Sequence, residues 1–191
     1  MATRTSVQFL TRTAVMLALA LVFQFFGGNI AAAIGLPPQF VVGPLVNLCL
    51  LVATAIAGVW SGGLIGILTP VTAALTAHLP VPAPLVPVVA IGNVVLVVAF
   101  WLFDRRSVGR SAGPKLQLRV AGILAGALLK CGFLWGVTAL FAQLAWIPAK
   151  AAPALLVAFG WLQAVTALIG GAIALVVLVP VEAAVPKTGK A

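Results

Sequence analysis

The sequence predicts an all-α integral membrane protein, a single bundle of six transmembrane helices with both termini in the cytoplasm. Three observations carry that expectation. Hydrophobic residues make up 63% of the chain and charged residues only 7%, against roughly 25% charge in soluble domains. The apolar residues fall into six runs close to the ~20 residues an α-helix needs to cross the hydrocarbon core. The cations, finally, sort to one side of those runs. A soluble domain covers its core with Lys and Glu, and this chain has two acids, Asp104 and Glu182.

The first helix is expected over residues 6–26. Arg4 and Arg12 give it the outline of a signal peptide, but no A-x-A-like site follows, so the segment reads as a retained helix. Residues 27–39, with Asn29, Gly35, Pro37 and Pro38, read as a loop. The second helix follows over 40–59, a tight turn falls around Trp60, and the third helix spans 61–79. Pro80, Pro82, Pro84 and Pro87 interrupt any regular hydrogen-bond ladder and mark a bent connection into a fourth helix over 84–103. A polar loop, 104–115, precedes a fifth helix over 116–146, long enough to tilt, and a sixth over 153–179. The chain, 1–191, reads as one domain.

Cytoplasmic loops retain Lys and Arg, whereas translocated loops are depleted of them. With the N-terminus inside, nine of the eleven cations fall on the cytoplasmic side: Arg4, Arg12, Arg105, Arg106, Arg110, Lys115, Arg119, Lys187 and Lys190. Lys150 falls outside and Lys130 within the fifth span. The net charge of +9 therefore reads as topology and as contact with anionic lipid heads, not as nucleic-acid binding.

Lys130 is the sharpest candidate for function, because ionisable groups inside a bilayer are costly and rarely idle. Phe133, Leu134, Val137 and Phe141 follow it at helical spacing. Two readings fit: a seat for a substrate carboxylate above an aromatic floor, or a lysine that snorkels or pairs with helix carbonyls. Asn47, Asn93 and Gln163, the last with Thr166 nearby, are polar groups in apolar runs that either line a ligand cavity or stitch helices together. His78 and several of the five tryptophans fall near span ends, as an interfacial belt requires. Cys49 and Cys131 read as small buried apolar residues. The four serines lie at span ends or in loops, and no H-E-x-x-H, nucleotide loop or acid pair occurs within the spans. No catalytic, metal or cofactor site is therefore expected. Small residues spaced by four, namely Ala14 with Ala18, Gly58 with Gly62 and Gly66, and Gly122 with Gly126, allow close helix approach.

Three stretches together resemble the substrate-binding S components of energy-coupling factor (ECF) vitamin transporters. They are Thr11-Arg12-Thr13-Ala14-Val15-Met16-Leu17-Ala18, then Gly62-Gly63-Leu64-Ile65-Gly66 with Thr69-Pro70, and Pro87 followed by Ala90-Ile91-Gly92-Asn93. The resemblance covers nearly the whole chain. It implies a bacterial plasma-membrane subunit that captures a vitamin or related small molecule outside, beneath a lid formed here by residues 29–39, and topples in the membrane. It also implies two ATPase subunits and a membrane coupling subunit on which Ala14 and Ala18 dock. The implied cavity draws on helices four to six, where Lys130, Asn93 and Gln163 lie, with Asn47, Phe133 and Asn29 as further ligand contacts. Lys130 suggests a cargo with a carboxylate, such as pantothenate, nicotinate, biotin or lipoate. A stand-alone small transporter or channel and a non-catalytic membrane scaffold are the alternatives; the two halves of the chain show no convincing internal repeat.

Overall fold

The computed structural model describes residues 2–76 and 83–184, with side chains from residue 6 onward. His78, the prolines at 80 and 82, and Lys187 and Lys190 lie outside the described residues. The elements are α1 (Ala2–Ala33), α2 (Gln39–Ala57), α3 (Val59–Leu75), α4 (Leu85–Ser107), α5 (Ala112–Gln143), α6 (Ala152–Ala158) and α7 (Trp161–Ala184). Among the described residues, five stretches are long and apolar enough to cross a membrane: Ser6–Ala33, Gln39–Ala57, Leu85–Ser107, Ala112–Gln143 and Ala152–Ala184. The apolar helix Val59–Leu75 is shorter, at 17 residues. It rises ~25 Å, less than the ~30 Å hydrocarbon core.

Helix boundaries differ from the sequence expectation in two places that matter for the site. Residues 27–33, expected in a loop, continue α1. Gly27 is buried against α2, where an added Cβ would lie 2.9 Å from Val42 Cγ2, and Ala31, Ala32 and Ala33 favour helix. The helix stops in a Schellman turn: Leu36 N–H donates to Ala31 O at 2.9 Å, Gly35 N–H donates to Ala32 O at 3.2 Å, and Gly35 takes φ +70°. The connection to α2 is thus short. The expected sixth helix is in two pieces, α6 and α7, broken at Phe159 and Gly160.

Helix α2 is the hub, packing on α1, α3, α4 and α7, while α5 packs on α4, α6 and α7. Its residues 47–54 are buried without interruption, so it is apolar all round, as a central helix must be. Gly58, at φ +95°, reverses the chain into α3. The glycines read from the sequence as contact points largely are: an added Cβ would meet Leu50 O and Val97 at Gly62, Asn93 at Gly66, Phe100 and Phe103 at Gly122, and Leu96 at Gly126. Gly58 faces open space and serves only the turn.

Two apolar cores result. The larger joins Leu48–Ala53 of α2 to Ile65, Leu96, Val97, Phe100, Ile123, Ala127 and Ala174. The second gathers Leu85, Val88, Leu134, Ile147, Leu155 and Phe159. The outer surface is also apolar, with Leu10, Phe26, Leu75, Leu128 and Val176 exposed, as lipid contact requires. Trp60, Trp135, Trp146 and Trp161 are more than half exposed, and Arg105 stacks over Trp101 at 4.8 Å.

Candidate functional site

At one end of the bundle, both acids of the chain are consumed by cations. Arg119 on α5 donates through Nε to Asp104 Oδ1 at 2.6 Å and through a terminal nitrogen to Glu182 Oε1 at 2.5 Å, and Lys115 also pairs with Glu182. This network ties the ends of α4, α5 and α7 together. At the corresponding end of α1, Arg12 donates to Ile56 O at 2.8 Å, satisfying a terminal carbonyl of α2 where the helix dipole is negative. Thr13 bonds Ser61 at 2.8 Å beside it. The sequence placed these cations on one side; that Arg119 bridges two acids 15 and 63 residues away was not read from it.

Lys130 lies on the buried stripe of α5, eleven residues beyond Arg119 and ~16 Å further along the axis. It is only 3% exposed. It sits at the junction of the two apolar cores, between Ala127 of the first and Leu134 of the second. Its ammonium donates to Asn47 Oδ1 at 2.9 Å and Asn93 Oδ1 at 2.8 Å. An ammonium carries three N–H donors, and these amides use two. With Asp104 and Glu182 engaged at the bundle end, the charge is buried against neutral amide oxygens alone.

The local sequence explains why the amides stand there. Pro70 in α3 has no N–H, so the carbonyl four residues back, that of Gly66, loses its helical partner. Asn93 Nδ2 donates to that carbonyl at 3.0 Å, and the absence of a Cβ at Gly66 lets α4 come close enough to do so. Asn93 is thereby fixed with its oxygen toward Lys130. Asn47 is held by α7: an added Cβ at Gly170 would sit 2.9 Å from Asn47 Cβ. Sequence alone offered each amide as a cavity liner or a stitch; the spacing Gly66–Pro70 was the available signal for the bond to Asn93.

The other candidates lie apart. Gln163 donates to Ala158 O at 3.2 Å, and Gln39 donates to the same carbonyl at 2.8 Å, so both cap the end of α6. Thr166, which bonds Gln163 O, packs on Gly43 one turn from Asn47. Phe133 is half-buried against the second core, and Asn29 is exposed on α1. Ala14 and Ala18 face outward on α1. Among the described residues no group of His, Cys, Asp and Glu is placed to hold a metal ion. A groove of about 420 Å³ between α3 and α4, lined by Ile67, Val71, Val86, Pro87, Ala90, Ile91 and Val94, has no polar lining to orient a ligand.

A helical bundle with a lipid-compatible exterior and a charged, amide-lined interior defines a multi-pass membrane protein. The family of ECF transporter substrate-specific components matches residues 8–182, and the chain belongs to that family. It is thus a membrane-embedded substrate-binding subunit of an ECF transporter. No curated protein and no solved structure matched it.

Proposed function

We infer that this subunit captures a carboxylate-bearing small molecule, vitamin-like in size, outside a bacterial plasma membrane and delivers it through a coupling subunit driven by two ATPase subunits. Val59–Leu75 completes six crossings in this reading, and both termini are cytoplasmic. The orientation is supported by the grouping of Arg12, Asp104, Arg105, Lys115, Arg119 and Glu182 at the α2–α3 and α4–α5 turns and the end of α7. Ala14 and Ala18, outward on α1, offer small side chains over which a partner helix can approach closely.

The observation that carries the substrate class is Lys130, a buried ammonium held by two neutral amide oxygens. A carboxylate received by its remaining donor neutralises a charge the bundle otherwise bears uncompensated. Native mass spectrometry of the purified chain identifies a co-purified ligand, and binding is then compared in Lys130→Met. A charged hydrogen bond contributes about 1.5–3 kcal/mol, so the variant should bind ~10- to 100-fold more weakly. Equal affinity in wild type and Lys130→Met makes Lys130 a structural stitch between α2, α4 and α5 and removes the carboxylate assignment.

A further inference from the structure

The buried stripe of α5 runs Arg119, Gly122, Ile123, Gly126, Ala127, Lys130, Leu134 and Thr138. Two turns beyond Lys130, Thr138 is fully buried, and its hydroxyl has no hydrogen-bond partner, alone in this among buried side-chain polar atoms of the described residues. Threonine in a helix ordinarily donates to the carbonyl four residues back. Thr11, Thr13, Thr54, Thr69 and Thr72 do so here, at 2.8, 2.6, 2.9 and 3.0 Å for those beyond Thr11, which bonds at 2.9 Å. Thr138 departs from that rule on the same helix as Leu134 of the second core, and no neighbouring side chain or carbonyl supplies a partner. A buried polar group left without a partner is destabilising, and such exceptions call for a cause.

We propose that Thr138 is a second polar anchor for the transported molecule, about 12 Å from Lys130 along α5. The inference rests on the carboxylate reading of Lys130 and narrows it. The cargo has an anionic end at Lys130, an apolar middle passing Leu134, and at its far end a hydroxyl, carbonyl or amide that bonds the Thr138 hydroxyl, which both donates and accepts. Leu134 belongs to the second core with Leu85, Val88, Ile147, Leu155 and Phe159, so the cargo's middle meets only apolar side chains there. A molecule with charge at one end only leaves Thr138 unsatisfied.

The test uses the full chain in detergent, with straight-chain saturated carboxylates of graded length and their ω-hydroxy counterparts as probes, below their micellar concentrations. Calorimetric titration should give a length at which wild type prefers the ω-hydroxy probe by about 2- to 10-fold, the contribution of one neutral hydrogen bond. Thr138→Val, nearly equal in volume, should abolish that preference and raise the melting temperature of the ligand-free protein. Lys130→Met should bind both probes ~10- to 100-fold more weakly. Should Thr138→Val keep the preference, or wild type show none at any length, the Thr138 anchor is overturned while the Lys130 seat stands. If no carboxylate binds wild type, or Lys130→Met binds them equally well, the seat itself fails and the anchor with it.

Discussion

Gly170→Ala should force α2 and α7 apart at the level of the amide–lysine centre. The new Cβ would collide with the Pro44 carbonyl oxygen and lie 2.9 Å from Asn47 Cβ and 3.1 Å from Leu48 N. Two of these three obstacles are backbone atoms, so no rotamer change relieves the overlap. Helix propensity favours alanine over glycine by roughly 1 kcal/mol, whereas overpacking a filled interior costs about 1–3 kcal/mol and more when backbone must move. A net destabilisation of about 1–2 kcal/mol follows, together with displacement of Asn47 from Lys130. Gly136→Ala on α5 is the control: nothing lies within 4 Å of its added Cβ, so only the propensity gain operates. The five tryptophans supply a fluorescence signal for thermal unfolding of the purified protein in detergent. Gly170→Ala should melt below wild type and Gly136→Ala at or above it. Equal shifts in both variants, or a Gly170→Ala protein that melts no lower than wild type, would refute the close-packing argument.

Arg119→Met strands Asp104 Oδ1 and Glu182 Oε1. Loss of one partner of a fully buried pair costs roughly 3–5 kcal/mol; with 13% and 19% side-chain exposure on the acids, about 2–3 kcal/mol is expected in a chemical-unfolding titration. Ala145 occupies the left-handed position of the Schellman turn that ends α5, at φ +56°, with Trp146 N–H donating to Phe141 O at 2.9 Å and the two rings 4.9 Å apart. Gly35 fills the equivalent position after α1. Ala145→Gly should therefore stabilise by about 0.5–1 kcal/mol, the left-handed penalty less the greater unfolded-state freedom of glycine, read as a higher melting temperature. The double variant Ala14→Leu/Ala18→Leu should melt as wild type, since both positions face outward, yet fail to co-purify with the coupling subunit. Retained co-purification counts against the proposed docking face.

Composition and the period of the apolar runs were enough to predict a helical membrane bundle, because a solvent of lipid leaves its mark on every segment. The family was legible too, from three short stretches that fall on α1, α3 and the start of α4, and the match over residues 8–182 agrees with it. Helix ends were less legible where local chemistry and packing disagreed: Gly27 and Gly28 suggest a loop, but contact with Val42 keeps the helix going to Ala33.

By itself, the sequence singled out Lys130 as an ion without an evident neighbour, and it offered Asn47, Asn93 and Gln163 as cavity liners or stitches, Phe133 beside it on one helix, and Asn29 in the implied lid. Only the tertiary structure shows which of them meet its ammonium. It carries Asn47, 83 residues away, and Asn93, 37 residues away, to the same ammonium, and sends Gln163 to the end of α6 and Asn29 to the surface. The physical reason is that side-chain periodicity reports which face of a helix is buried, not which helix it meets or at what height. Those follow from where glycines admit close approach, as at Gly66 and Gly170, and from which carbonyls lack partners, as Gly66 does before Pro70. The unpaired hydroxyl of Thr138 belongs to the same class of fact, since a missing partner is visible only when all the neighbours are in place.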